Sequence, residues 1–247
     1  MSERIAWTKS EWEQIYELFS YLSKNCTDID IFNGKIRSFN DYKNTCFDLD
    51  IKKDITVTIP LIKDVLPIFK AFTPESDTDV VYFYIDKNKY IIEDNESSVS
   101  NSKADTMICN NPYITDSEFE KYARYLKVPI GEITFTDKIL DRISTMISIF
   151  DSLELKLNVK DNVASLTLDS ESKSKHSKIV SNLKLDIVDG VYGIPIVLFT
   201  TPWKNLTIKL FKKEDGKYIF NSSGDIMGLT VNLYSAVIKK TNDKFSN

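Results

Sequence analysis

Hydrophobic and polar positions along this chain switch repeatedly between strand-like alternation and the wider spacing of amphipathic helices. Arg4-Ile5-Ala6-Trp7-Thr8-Lys9 alternates as a short strand and runs straight into a stripe of Trp12, Ile15, Leu18, Phe19 and Leu22 at helical spacing. Thr8 is placed to cap that helix, with Glu11 three residues on as in a capping box, and Lys24-Asn25 closes it. Strand-like segments follow at 28–33, 35–41, 45–51 and 55–59, with Asn33-Gly34 as a hairpin turn. Pro60 ends the last of these. Leu61, Val65, Leu66, Ile68, Phe69 and Phe72 then predict a second helix, which Pro67 should kink or interrupt. Residues 80–85 and 90–93 read as another hairpin.

Residues 97–105, rich in Ser, Asn and Lys, read with 106–113 as a linker. A short helix is predicted over 115–126, its Phe119, Tyr122, Ala123 and Leu126 spaced to dock. A longer one covers 136–150, with Ile139, Leu140, Ile143, Met146, Ile147 and Phe150 inward. Strands at 153–159 and 163–168 pair around Lys160-Asp161-Asn162, and 171–178 is a polar loop. Strands resume near 179–188, 191–197, 206–212, 218–221 and 229–238. The apolar pattern stops after Lys240, so 241–247 is read as a flexible tail.

The chain repeats itself. Glu132-Ile133-Thr134-Phe135-Thr136-Asp137 echoes the opening pattern, and Lys217-Tyr218-Ile219-Phe220 echoes Lys89-Tyr90-Ile91-Ile92. The same offset separates Ile5 from Ile133 and Tyr90 from Tyr218, which points to a duplicated domain. The helix at 61–72 is not clearly repeated, because its counterpart stretch, 196–203, is too short. A chain of 247 residues accommodates two domains of ordinary size, and 42% hydrophobic residues are enough to fill their cores.

A net charge of −4 excludes wholesale basic attraction to nucleic acid but not a local basic patch. Cys26, Cys46 and Cys109 lack metal-type spacing and read as small buried hydrophobes in a reducing compartment. There is no secretory signal pattern and no apolar run of the roughly 18 residues a membrane span needs. A soluble cytoplasmic protein is expected. Catalytic signals are absent too. His176, the single histidine, sits in the basic stretch Ser-Lys-Ser-Lys-His-Ser-Lys and reads as solvated. Seven glycines form no phosphate-cradling loop and no dinucleotide fingerprint. Asp28/Asp30 and Asp48/Asp50 each share one strand face and could bind a metal, although a solvated face is the plainer reading. No catalytic residue, metal or cofactor is expected.

Two copies of a helix-and-strands unit, joined by a long connector in an acidic chain, resemble the DNA sliding clamps, and among them the tailed-phage relatives of PCNA. The resemblance is carried by 5–8 and 133–136 with their helices, and by Asn33-Gly34-Lys35-Ile36 with the following strands. It is also carried by Pro202-Trp203-Lys204-Asn205-Leu206-Thr207-Ile208-Lys209-Leu210-Phe211, where the phage form has a turn in place of the last helix. It covers almost the whole chain. It implies an α+β DNA-clamp fold of two similar domains, each with antiparallel sheets outside and helices lining the inner face. The expected boundaries are 1–102, a connector with a short helix at 103–129, and 130–240. The implied function is a homotrimeric ring that encircles duplex DNA without sequence preference. Such a ring tethers the replicative DNA polymerase and is placed by a clamp loader, in the host cytoplasm if the chain is of phage origin.

Under that resemblance Lys9, Lys24, Lys63, Lys70, Lys138, Arg142 and Lys204 are the candidates for DNA contact. Glu11, Glu13 and Glu17 crowd the first helix, which leaves Lys138 and Arg142 as the main pair. Met107, Ile108, Pro112 and Tyr113 of the connector, completed by Tyr42 and Tyr234, are the candidates for a partner-peptide pocket. Alternatively they pin the connector to its own domain. Edge strands that could close a ring are expected around 108–112 and 169–180. The competing functions are a monomeric viral processivity factor of the same fold, a structural β protein of a virus, and an enzyme using the Asp28/Asp30 acids with a metal.

Overall fold

The structure, a computed structural model, describes residues 4–86, 89–102, 109–150, 154–169, 176–184, 189–195, 199, 203–226 and 228–240. The chain divides into two compact units, Met1–Thr115 with Met227–Val231, and Asp116–Ile226 with Asn232–Asn247.

In the first unit, β1 (Ile5–Thr8) leads directly into α1 (Lys9–Leu22). The capping box forms as the sequence predicts: the Thr8 hydroxyl accepts the Glu11 N–H, and the Glu11 carboxylate accepts the Thr8 N–H at 3.0 Å. Burial works against the Glu11 charge. Its hydrogen bonds from Lys53 and from the Thr8 backbone nonetheless hold the carboxyl below its ordinary value. Strands β2 (Ile29–Phe32), β3 (Lys35–Phe39), β4 (Thr45–Asp50) and β5 (Val57–Ile59) pair in the order β4-β3-β2-β5. Asn33 and Gly34 turn the β2–β3 hairpin with φ of 48° and 72°. A side chain at Gly34 would also meet the Lys53 carbonyl oxygen at 2.1 Å, so glycine is required there.

Helix α2 (Ile62–Ala71) runs through Pro67 without interruption, so of the kink or break expected from the sequence the break does not occur. The proline lies on the exposed side and forfeits a single ladder bond, while buried Ile62, Val65 and Phe69 hold the helix down on either side of it. Strands β6 (Val80–Asp86), β7 (Lys89–Glu93) and β8 (Ser98–Ser102) complete a sheet of order β1-β6-β7-β8. Strand β8 replaces part of the expected linker at 97–105. Backbone pairing with β7, from Glu93↔Ser98 to Lys89↔Ser102, requires no apolar alternation, so a Ser/Asn stretch can serve. Aromatic rings lock helices to sheet: Trp12 stacks on Phe69 at 4.9 Å, its indole N–H donates to the Phe69 carbonyl at 2.8 Å, and Phe69 meets Phe83 edge-on at 5.6 Å.

The second unit contains α3 (Asp116–Ala123), β9 (Gly131–Thr134), α4 (Asp137–Phe150), β10 (Glu154–Lys160), β11 (Val163–Asp169), β12 (His176–Lys184) and β13 (Gly190–Pro195). It continues with β14 (Lys204–Lys212), β15 (Tyr218–Ile226) and β16 (Leu229–Lys240), the first residues of the last being grouped with the first unit. The strands run in the order β12-β11-β10-β13-β16, and β15 pairs with β16 and continues through β14 to β9. Asp161 and Asn162 both take positive φ and make a two-residue turn between β10 and β11.

Two expectations need correction here. His176 does not lie in a loop but opens β12, opposite Asp169. Lys204 does not lie in a turn but opens β14, opposite Asp225; the alternately buried Leu206, Ile208 and Leu210 extend the strand, with a register shift between Lys204 and Thr207. Most of the 196–203 stretch, where a helix was expected to be missing, lies outside the described residues, as does the expected tail at 241–247.

The duplication is visible within each unit. Strand β1 precedes α1 and pairs with β6, whose partner is β7; β9 precedes α4 and pairs with β14, whose partner is β15. Ile5 and Ile133 therefore lie in equivalent opening strands, and Tyr90 and Tyr218 in equivalent hairpin partners.

Candidate functional site

The helices bury one face and leave the other polar. On α1, Glu13 and Glu17 are exposed, whereas Lys9 is half-buried and its Nζ donates to the Glu75 carbonyl at 3.0 Å. On α2, Lys63, Asp64 and Lys70 are exposed. On α4, Lys138 and Arg142 are exposed one turn apart, and so are Asp137 and Asp141 beside them. Lys204 is exposed at the start of β14. These faces carry cations, but they are not uniformly basic.

Lys24, Lys63 and Tyr42 come together. With Leu61 and Asp64 they line a cavity of about 390 Å³ in the first unit. Tyr42, on the β3–β4 turn, is 82% exposed. Two cations assigned to DNA and one aromatic assigned to a peptide pocket thus share one surface.

The other pocket candidates are distributed differently. Met107 and Ile108 lie outside the described residues. Pro112 is exposed, and Tyr113 packs on Phe32 with ring centroids 5.3 Å apart while its N–H donates to Asp30 Oδ2 at 2.9 Å. Tyr234, in the second unit, meets the α3 residue Phe119 at 5.1 Å.

The reason for this placement is a group of carboxylates whose role was missed in the sequence. Asp28, 1% exposed, accepts the Leu61 N–H at 3.0 Å through Oδ1, and through Oδ2 the Asn110 backbone N–H at 2.8 Å and its side-chain amide at 3.0 Å. Asn111, fully buried, accepts the Asp28 N–H at 3.1 Å and donates to the Phe39 carbonyl at 2.8 Å and to Asp41 at 3.0 Å. Asp30 accepts from Thr58 at 2.8 Å as well as from Tyr113. The Asp28/Asp30 pair, read above as a solvated face with a metal site as the alternative, instead binds residues 110–113, and Asp28 is buried rather than solvated. Among the described residues no group of three or more His, Cys, Asp or Glu is arranged to hold a metal. The same bonds correct the expected edge at 108–112: residues 109–112 form no strand, and the edge nearest in sequence is instead β8, the last strand of the β1-β6-β7-β8 sheet. The Asn-Asn pair at 110–111 was the available signal, since paired short amides favour side-chain-to-backbone bonding over a plain linker.

No protein-family profile matches the sequence, and no curated protein matches it. Solved structures do. The PCNA of Entamoeba histolytica aligns with a TM-score of 0.63 at 11% identity, over 96% of this chain and 100% of that one. The PCNA of A. fulgidus, solved with the bound C-terminal region of FEN-1, aligns at 0.59 and 12% identity, over 98% and 100%. The PCNA2–PCNA3 complex of Sulfolobus tokodaii gives 0.58 at 13% identity, over 95% and 99%.

The chain therefore has the α+β sliding-clamp fold, and its structure is similar to PCNA across nearly its whole length. No helix among the described residues is long and apolar enough to cross a membrane.

Proposed function

We propose that this chain is a sliding clamp, a non-enzymatic ring of three copies that encircles duplex DNA and tethers the replicative polymerase. The observation that carries the reading is the doubled strand–helix–hairpin unit, together with a fold match to PCNA over 96% of the chain. Residues 1–102 and 130–240 are the two clamp domains, joined by the connector at 103–129 and followed by a tail at 241–247. Strands β8 and β12 each end a sheet, and pairing β8 of one copy with β12 of the next satisfies both edges. A clamp loader opens and closes such a ring on DNA, in the cytoplasm of the cell where replication occurs, or of the host if the chain is of phage type.

Lys9, Lys24, Lys63, Lys70, Lys138, Arg142 and Lys204 supply phosphate contacts that are independent of base sequence. The interspersed Glu13, Glu17, Asp64, Asp137 and Asp141 keep that attraction weak, so retention comes from topology and sliding stays easy. The connector residues Met107, Ile108, Pro112 and Tyr113, with Tyr42 of the first unit, receive the peptide tails of polymerase and loader. FEN-1 bound to the A. fulgidus PCNA supports this kind of partner.

The test is Lys138→Glu combined with Arg142→Glu, assayed by polymerase stimulation on primed DNA. Stimulation is lost while the oligomer persists. Undiminished stimulation by an intact ring contradicts the DNA-facing role of α4.

A further inference from the structure

We propose that the end of α3 and the β14–β15 turn form a docking surface for an acidic peptide segment that carries an apolar side chain. The surface is built around Tyr125. The Arg124 guanidinium lies 4.6 Å from the centroid of its ring and the Lys213 ammonium 5.0 Å from it, and Arg124 also donates to the Tyr125 hydroxyl. These cation–π contacts tie the segment after α3 to the turn. The Ile130 N–H, donating to the Leu210 carbonyl at 2.8 Å, fixes the chain beyond it.

Further cations flank this fixed pair along the chain: Lys127 follows Tyr125 by two residues, and Lys217 accepts the Lys213 N–H through its carbonyl at 2.7 Å across the turn. Lys127 is exposed, and the Lys217 side chain is 76% exposed. The acids of the turn are Glu214 and Asp215, and Asp215 is shared between Lys217 at 3.4 Å and Lys213 at 4.0 Å. Arg124, Lys127, Lys213 and Lys217 outnumber Glu214 and Asp215 of the turn together with exposed Glu120 of α3, one helical turn before Arg124, in a chain whose net charge is −4. Such a local excess attracts an anionic partner electrostatically. Val128, next to Lys127, is 75% exposed. A lone exposed valine is ordinary. Beside a fixed cationic cluster it supplies an apolar contact that a purely electrostatic ligand would not use.

That combination selects the partner class. A nucleic acid gains affinity here by stacking bases on an open aromatic face, but the Tyr125 ring already carries two cations that a base would have to displace. Its phosphates have no use for Val128. An acidic peptide uses both features, its carboxylates on the cations and its side chain on the valine. The surface includes none of the residues assigned above to DNA or to the connector pocket, and it depends only on the fold of the second unit.

The probe is a labelled Asp/Glu-rich peptide with one central leucine, titrated with the full chain and followed by fluorescence anisotropy. It binds, and Lys127→Glu with Lys217→Glu weakens binding by about tenfold or more. Val128→Ser, or serine in place of the peptide's leucine, weakens it several-fold. Lys35→Glu with Lys89→Glu, exposed on the first unit, leaves it unchanged, and matching thermal melts show each variant folded. Equal affinity for the Lys127/Lys217 variant overturns the proposal. So does preferential binding of oligothymidylate or anionic vesicles through those two lysines.

Discussion

Cys26 and Cys46 are each 3% exposed, and burial pushes both thiols up to about 12. For Cys26 the nearby Asp41 carboxylate adds to the effect. A thiol titrating that high has almost no thiolate at neutral or mildly alkaline pH, and the thiolate is the reactive form. Cys109 is half-exposed. Iodoacetamide therefore labels Cys109 first in the native protein, and Cys26 and Cys46 react only after denaturant is added. Early modification of Cys26 or Cys46, read by mass spectrometry, contradicts the burial described. At this scale the sequence was informative wherever one residue type has one physical use. Thr8 with Glu11 announced the cap and Asn33-Gly34 the turn. Pro67 does not break its helix, because buried Ile62, Val65 and Phe69 hold the segment on either side of it, and spacing alone does not weigh that.

Residues 109–114 form neither helix nor strand, yet they are held as firmly as one. Asp28 gathers three N–H donors, two of them from Asn110, and Asn111 is buried against Asp28, Phe39 and Asp41. Replacing the carboxylate by an amide removes the charge and turns one acceptor into a donor facing donors. Asp28→Asn therefore costs about 2 kcal/mol or more in urea denaturation, the scale of lost charge-assisted bonds. Limited proteolysis then cuts within 109–114 earlier than in the wild-type chain. Asp64→Asn, on the exposed face of α2, shifts stability by less than about 0.5 kcal/mol. Equal stability for both variants contradicts the anchoring role. The helices and most strands were legible because their burial follows a period. Strand β8 and the anchored connector were not. A serine-rich edge strand and a segment held by side chains on β2 and the β3–β4 turn both depend on long-range partners, which leave no periodic trace in the local sequence.

The whole chain repeats one unit, and the repeat was readable because Ile5/Ile133 and Tyr90/Tyr218 share an offset. The structure gives those positions equivalent places, in β1 and β9 and in β7 and β15. The candidate DNA contacts were legible only as exposed cations on predicted helices. Their acidic neighbours limit what they can do: Glu13 and Glu17 on α1, Asp64 on α2, and Asp137 and Asp141 on α4 offset much of the charge. A monomer relying on such faces would hold DNA poorly, whereas a closed ring needs little electrostatic attraction to stay on. Retention on DNA therefore turns on the oligomeric state. Multi-angle light scattering of the purified chain, over a range of concentrations, measures that state. A closed ring has a mass three times that of the 28.4 kDa chain. A mass that stays at one chain even at the highest concentration contradicts it.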